Sequence, residues 1–262
     1  MNTIDLSSYK HKGVPDLSKP TPLFLDKEHA IYWLGVDEDA AFRCNVYLLV
    51  DRDEILLIDP GSRACFDTVK RRVAQIVEPE QVTGMLLCHQ DPDVAASMID
   101  WLGFKPGITV YATFRTNVLL SFYGASGYRF VDVSHNSRLK LPSGAELRFI
   151  EAPFLHFPGA MTTYDMASGF LLSGDIWAAV GSDWNLVVDD FIRYSIKMDM
   201  FHIDYMASNI AARGFVRRLE NYDIAAILPQ HGSVIDQNFV KDALDYLQEL
   251  ECGTDVLYPD LR

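Results

Sequence analysis

The sequence predicts an α/β protein in which two sheets pack face to face with helices on their outer sides, a four-layer αββα sandwich. Two observations predict it. Short apolar runs that end in Gly or Pro alternate with segments whose apolar residues recur at helical spacing, and both halves of the 262-residue chain follow this theme. At 49% hydrophobic residues the composition is ordinary globular material, and with no exact repeat or low-complexity segment we expect one compact domain over residues 1–262.

The elements follow in order. Residues 14–22 form a Pro-rich, irregular lead-in, and residues 30–34 (Ala-Ile-Tyr-Trp-Leu) read as a strand. Residues 45–50 and 55–58 make a hairpin around the charged turn 51–54, and Asp59-Pro60-Gly61-Ser62 turns sharply into a helix over 65–76. Residues 85–88 are a short buried strand that delivers His89 into a loop, after which a helix runs from Asp93 to near Gly103. Strands are expected at 109–112, 147–150, 161–164 and 170–173, with helices at 200–219 and 239–250 flanking a last strand at 224–228.

Charge and cysteine usage narrow the function classes. The net charge of -13, from 36 acidic against 23 basic residues, works against nucleic acid and anionic membrane partners, since no basic stripe neutralises phosphates. The cluster Lys70-Arg71-Arg72 reads as one solvated helix face. Cys44, Cys65, Cys88 and Cys252 form no C-x-x-C pair and no disulfide-dense pattern, which fits a reducing compartment. The first twelve residues are polar and lack an apolar signal core, and no apolar run is long enough to cross a bilayer. The expectation is a cytoplasmic protein.

The chemistry concentrates at strand ends. His89, Asp91 and Asp93 alternate by two, so an extended loop turns all three toward one side. His156 sits in the turn before Phe157-Pro158-Gly159, Asp175 ends Leu171-Leu172-Ser173-Gly174, and His231 ends Ile227-Leu228-Pro229-Gln230. Loops at one edge of a rigid sheet converge on a cation, and mixed imidazole and carboxylate donors suit iron, zinc or manganese. A buried Asp175 without a cation would be costly, and a carboxylate between two cations bridges them. Taken singly, each residue has a blander role: His156 a core histidine satisfied by backbone, Asp175 a helix cap, His231 a turn former. Asp59 reads as structural, Cys88 as packed in its strand, and His11, His29 and His135 as surface residues. Trp33, Trp101, Trp177 and Trp184 read as core or rim.

Together these segments resemble the metallo-β-lactamase superfamily, and within it the di-iron domain of flavodiiron proteins, over nearly the whole chain. The resemblance rests on residues 31–35, 45–50 and 57–61, on His89-Gln90-Asp91-Pro92-Asp93, on the His156-Phe157-Pro158-Gly159 segment, on Leu172-Ser173-Gly174-Asp175 and on Pro229-Gln230-His231-Gly232. The superfamily's hydrolases carry a histidine in the third place of their H-x-H-x-D-H run, whereas the di-iron branch carries a carboxylate, as at Asp91. The resemblance implies that His89, Asp91 and His156 hold one iron, Asp93 and His231 the other, and that Asp175 bridges them.

Two departures from the pattern bear on function. Val94 stands where the run normally supplies a sixth-place histidine, leaving a position open to water or to a neighbour such as a tyrosine or His202. Flavodiiron proteins also append a flavodoxin-like domain that binds FMN, and the sequence in hand ends soon after the fold is complete, so we expect no electron supply within it. The chain is similar to stand-alone oxygen-binding di-iron proteins linked to bacterial chemotaxis. That resemblance implies a dioxygen-binding di-iron sensor signalling to a chemotaxis or other partner. The enzyme version of the same site is an oxygen or nitric oxide reductase fed by an external flavoprotein donor. A zinc-dependent hydrolase is another class, against which Asp91 and Val94 both argue, and a degenerate, metal-free interaction module is a third, against which the six intact candidate ligands argue. A homodimer is compatible with all of these.

Overall fold

A computed structural model describes residues 4–13, 15–35, 41–135, 137–183 and 185–261, so Val14 and Trp184 lie outside the described residues. Seven strands form the first sheet in sequence order: β1 (Thr21–Leu25), β2 (His29–Trp33), β3 (Tyr47–Asp51), β4 (Glu54–Ile58), β5 (Gly84–Leu86), β6 (Thr109–Ala112) and β7 (Arg129–Asp132). The second contains β8 (Arg138–Lys140), β9 (Glu146–Glu151), β10 (Met161–Asp165), β11 (Phe170–Gly174), β12 (Ala226–Pro229) and β13 (Ile235–Asp236), in the spatial order β13-β12-β11-β10-β9-β8. The helices are α1 (Phe66–Val73), α2 (Pro92–Ala95), α3 (Met98–Phe104), α4 (Phe114–Leu120), α5 (Phe191–Tyr205), α6 (Asn209–Leu219), α7 (Val240–Glu249) and α8 (Thr254–Leu257).

Three apolar clusters separate four layers. Trp33, Tyr47 and Leu49 of the first sheet meet Phe149, Leu172 and Leu228 of the second in the central one. Val69, Val73 and Trp101 of α1 and α3 cover the far face of the first sheet, and Met198, Phe215 and Leu247 of α5, α6 and α7 cover that of the second. β10 and β11 are buried along their whole length, as strands sandwiched on both faces must be.

The pairing directions create the functional edge. β4 and β5 run parallel, as do β11 and β12, so within each pair the carboxyl ends emerge side by side. His89 follows β5, Asp175 follows β11 and His231 follows β12.

Several boundaries differ from expectation, each for a local reason. The helix expected from Asp93 is two short ones, because Ser97 is held by Pro60 and Gly61 through its hydroxyl and its N–H. The helix expected over 200–219 starts earlier, at the Asp190 N-cap, and breaks before Ser208, whose hydroxyl caps α6 at the Ala211 N–H. Within the supposedly irregular lead-in, Thr21 and Pro22 already belong to β1, an edge strand that tolerates proline. The short, half-exposed β7 and β8 and the helix α4 escaped the sequence reading. Trp33, Trp101 and Trp177 are fully buried.

His29 is a correction. Rather than lying at the surface, it is buried with Nδ1 2.7 Å from Asp51 and Nε2 3.1 Å from Asp165, tying the first sheet to the second. His11 and His135 are exposed, as expected. Among the described residues no helix is long and apolar enough to cross a membrane.

Candidate metal centre

Asp59 anchors the floor of the site. It takes a left-handed backbone conformation (φ 50°) at the turn after β4, and its Oδ1 accepts the Cys88 N–H at 2.8 Å, which fixes the loop carrying His89. Burial pushes its carboxyl up to about 6. Cys88 Sγ then lies 2.9 Å from His89 Nδ1 and leaves Nε2 to face inward. Asp91 occupies the N-cap position of α2, with Pro92 as first helical residue, yet its side chain makes no capping bond and turns to the histidines instead.

Gly174 brings the second sheet to this floor. Its φ is +58°, and a Cβ there would stand 2.8 Å from Cys88 Sγ, so only glycine lets β11 approach this closely. Asp175 follows in a turn, not at a helix start, which removes the capping role. Its Oδ2 lies 3.2 Å from His89 Nε2 and 3.1 Å from His156 Nε2. Asp91 Oδ2 completes that group at 3.6 Å from His89 and 3.4 Å from His156. The other oxygen of Asp175, Oδ1, points away from this cluster to His231 Nε2 at 3.5 Å, and His231 is 3.2 Å from Asp93 Oδ2.

All six residues singled out in the sequence therefore converge, as two half-sites that share Asp175. His231 is set by its neighbours: Nδ1 donates to the Arg43 carbonyl at 2.9 Å, and the Phe42 ring stacks on the imidazole at 3.6 Å between centroids. Gly232, at φ +90°, passes so close to Tyr194 that a Cβ would collide with its hydroxyl. The rings of Phe201 and Tyr205 stand edge-on to His156 at 5.7 and 5.8 Å.

Electrostatics agree with the geometry. Burial works to raise the Asp175 pKa, but His89, His156 and His231 hold it well below the carboxylate range. Burial likewise works to lower His156, yet Asp175 and Asp91 hold it up at about 9. His89 Nε2, His231 Nε2 and Asp175 Oδ1 are nonetheless buried without a hydrogen-bond partner among the described residues. Each such atom costs about 1–3 kcal/mol if left unsatisfied. These three atoms, His89 Nε2 in one half-site and Asp175 Oδ1 with His231 Nε2 in the other, lie in a set of imidazole and carboxylate donors that fits a pair of metal ions.

Two residues change status. His202, a candidate for the place left by Val94, is spent elsewhere: Nε2 accepts the Trp177 N–H at 2.9 Å and Nδ1 donates to the Met198 carbonyl at 2.9 Å. Burial drives its pKa down to about 4, so it is a neutral structural histidine. Val94 itself is fully buried in the apolar cluster beneath α1 and α3. Cys44, which sequence reasoning passed over, has its Sγ within 4.8 Å of ligand atoms of both Asp93 and His231. Without a cation, burial and the Asp93 carboxylate push its thiol up.

A family model described as ODP family beta lactamase matches residues 42–232. The chain belongs to that family. It is similar to a solved structure of the apo chemotaxis sensor ODP from T. denticola, at 31% identity and a TM-score of 0.79, covering 93% of this chain and 99% of that one. A structure described as a peroxy diiron species of chemotaxis sensor ODP matches at 31% identity and a TM-score of 0.82, covering 92% of this chain and 100% of that one. A flavodiiron protein from Giardia intestinalis, 20% identical with a TM-score of 0.74, shares the metallo-β-lactamase type of fold. Among curated relatives, Diflavin flavoprotein A 1 of Synechocystis sp. is 28% identical over 198 residues, 72% of this chain. The chain spans only 34% of that relative's length.

Proposed function

We propose that this chain is a single di-iron domain over residues 1–262 that binds dioxygen and acts as an oxygen or redox sensor read by a signalling partner. The observation that carries the reading is Asp175, whose two oxygens face separate half-sites while Oδ1 and two buried imidazole nitrogens lack hydrogen bonds. In this reading His89, Asp91 and His156 hold one iron, Asp93 and His231 hold the other, and Asp175 bridges. Iron bound there would supply redox chemistry toward dioxygen, and the hard carboxylate oxygens of Asp91, Asp93 and Asp175 would suit its oxidised form. The chain's own part is to position. The Arg43 carbonyl sets the His231 tautomer, Cys88 orients His89, and Phe201 and Tyr205 pack edge-on against the His156 ring.

The sensing role is supported by the 31% identity to the chemotaxis sensor ODP, a match that covers 92% of this chain and 100% of that one. The four cysteines are free, which supports a cytoplasmic setting. A second reading, an oxygen or nitric oxide reductase with an external electron donor, is favoured by the 24% identity to a Nitric oxide reductase of Moorella thermoacetica over 227 residues. Steady consumption of oxygen or nitric oxide in the presence of a reduced flavoprotein would select the reductase. The test of the shared site is His89→Ala in iron-loaded protein. The variant should lose the absorption change on oxygen exposure while keeping its fold, and a retained oxygen response would refute the assignment.

A further inference from the structure

The two half-sites are not equally furnished. Among the described residues, one has two imidazoles and a carboxylate, from His89, His156 and Asp91, beside the shared Asp175, whereas the other has one of each, from His231 and Asp93. Val94 does not make up the difference, because it is fully buried in the apolar cluster, and both nitrogens of His202 are engaged. We propose that Cys44 is the missing protein ligand and binds the second metal as a thiolate. The inference rests on the di-metal reading above and adds a sulfur donor to it.

Backbone pairing places the thiol. Cys44 forms an isolated antiparallel bridge with His231, and directly opposed residues of such a pair project to the same side. Alternation along the extended segment confirms the direction. Phe42, two residues earlier, stacks on the His231 ring, while Asn45, the next residue, turns away and donates to the carbonyls of Pro229 and Gly232. Cys44 Sγ accordingly lies 3.3 Å from the Asp93 carbonyl and 3.9 Å from Asp93 Oδ2. Sγ, the Asp93 carboxylate and His231 Nε2 fall within 4.8 Å of one another, a spread that three ligands of one ion can occupy. The imidazole that shares this space is independent evidence of a ligand: His231 is wholly buried, with Nε2 aimed at the same point and without a hydrogen bond.

Binding is a proton exchange. The S–H bond breaks, the proton passes to solvent, the sulfur lone pair forms the metal bond, and neither metal nor sulfur changes oxidation state. The resulting half-site mixes one imidazole, two carboxylates and one soft thiolate, unlike its all-nitrogen-and-oxygen neighbour. The two metals are thereby made chemically distinct.

X-ray absorption at the iron edge of the full chain, loaded anaerobically with excess ferrous iron, tests this directly. Wild-type protein should hold two irons and show one sulfur neighbour per pair, at about 2.3 Å. Cys44→Ser, loaded the same way, should lose that sulfur shell entirely, and Cys44→Ala serves as the second variant. Two irons with only nitrogen and oxygen neighbours in wild-type protein would overturn the thiolate while leaving the di-iron reading in place. A sulfur shell that persists in both variants would overturn it equally. Failure of wild-type protein to bind two metals would overturn the di-iron reading itself, and the thiolate with it.

Discussion

Replacing His29 by alanine removes the one imidazole that stands between two buried carboxylates. The side chains of Asp51 and Asp165 are fully shielded from solvent, and His29 is only 4% exposed. Breaking a buried ion pair by deleting one partner costs about 3–5 kcal/mol. Here the carboxylates keep other donors. Asp51 retains the Ser143 N–H at 2.7 Å and the Ser143 hydroxyl, and Asp165 retains the Ala167 and Ser168 N–H groups at 3.3 and 2.9 Å. The loss should therefore fall near the lower end, about 3 kcal/mol. With an unfolding entropy of about 2.1 cal/mol/K per residue over 262 residues, that corresponds to a fall of about 5 °C in Tm.

The difference should also depend on pH. Burial opposes the His29 charge, but Asp165 and Asp51 raise its pKa above 6.5, so its contribution is full below about 6.5 and is lost as pH rises through the folded value. Asp165 is lowered below 3.8 despite burial, chiefly by His29, so its contribution is present above about 3.8 and is lost as pH falls through the folded value. The gap between wild type and His29→Ala should thus be widest between about pH 4 and 6.5, read by thermal melts monitored by circular dichroism across that range. Metal content should not change, because the triad lies at the ends of β3 and β10 remote from the centre. A Tm shift below about 1 °C, or one independent of pH, would refute the reasoning.

Two further substitutions test how the site is built. Gly174→Ala combines a left-handed backbone penalty of about 1–2 kcal/mol with a steric one of about 1–3 kcal/mol against Cys88. It should lower the denaturation midpoint and reduce bound metal by displacing Asp175, and full metal content at an unchanged midpoint would contradict this account of the close approach. His202→Leu leaves the buried Trp177 N–H without its acceptor and should cost about 1–3 kcal/mol in stability with metal content intact. Loss of metal from a folded His202→Leu protein would return that histidine to the site.

What was legible in the sequence follows from where the information lies. The convergence of His89, Asp175 and His231 was readable because each ends a short apolar strand, and parallel neighbours carry such ends to the same edge. Asp91 and Asp93 do reach the site, but not by alternation along an extended loop: Asp91 is the N-cap of α2 and Asp93 lies in its first turn, so their carboxylates enter different half-sites. Cys44 was not readable, because its position depends on a single bridge to His231, a pairing across most of the chain that no local pattern encodes. His29 was misplaced for a related reason: its partners come from a neighbouring strand and from the opposite sheet, so its burial is a tertiary fact. The edge strands β7 and β8 were missed because their side chains are largely half-buried or exposed and show little apolar alternation. The break between α5 and α6 was signalled only by Ser208, a cap that is also an ordinary helix-surface residue.

The central claim, a di-iron centre that responds to dioxygen, is tested most directly by counting metals in anaerobically purified protein while its absorption spectrum is recorded as oxygen is admitted. The account predicts about two irons per chain and a new visible charge-transfer band on exposure. Bound zinc with no oxygen-dependent spectrum, persisting after attempted iron reconstitution, would contradict it and leave the same donors to a zinc-dependent hydrolase.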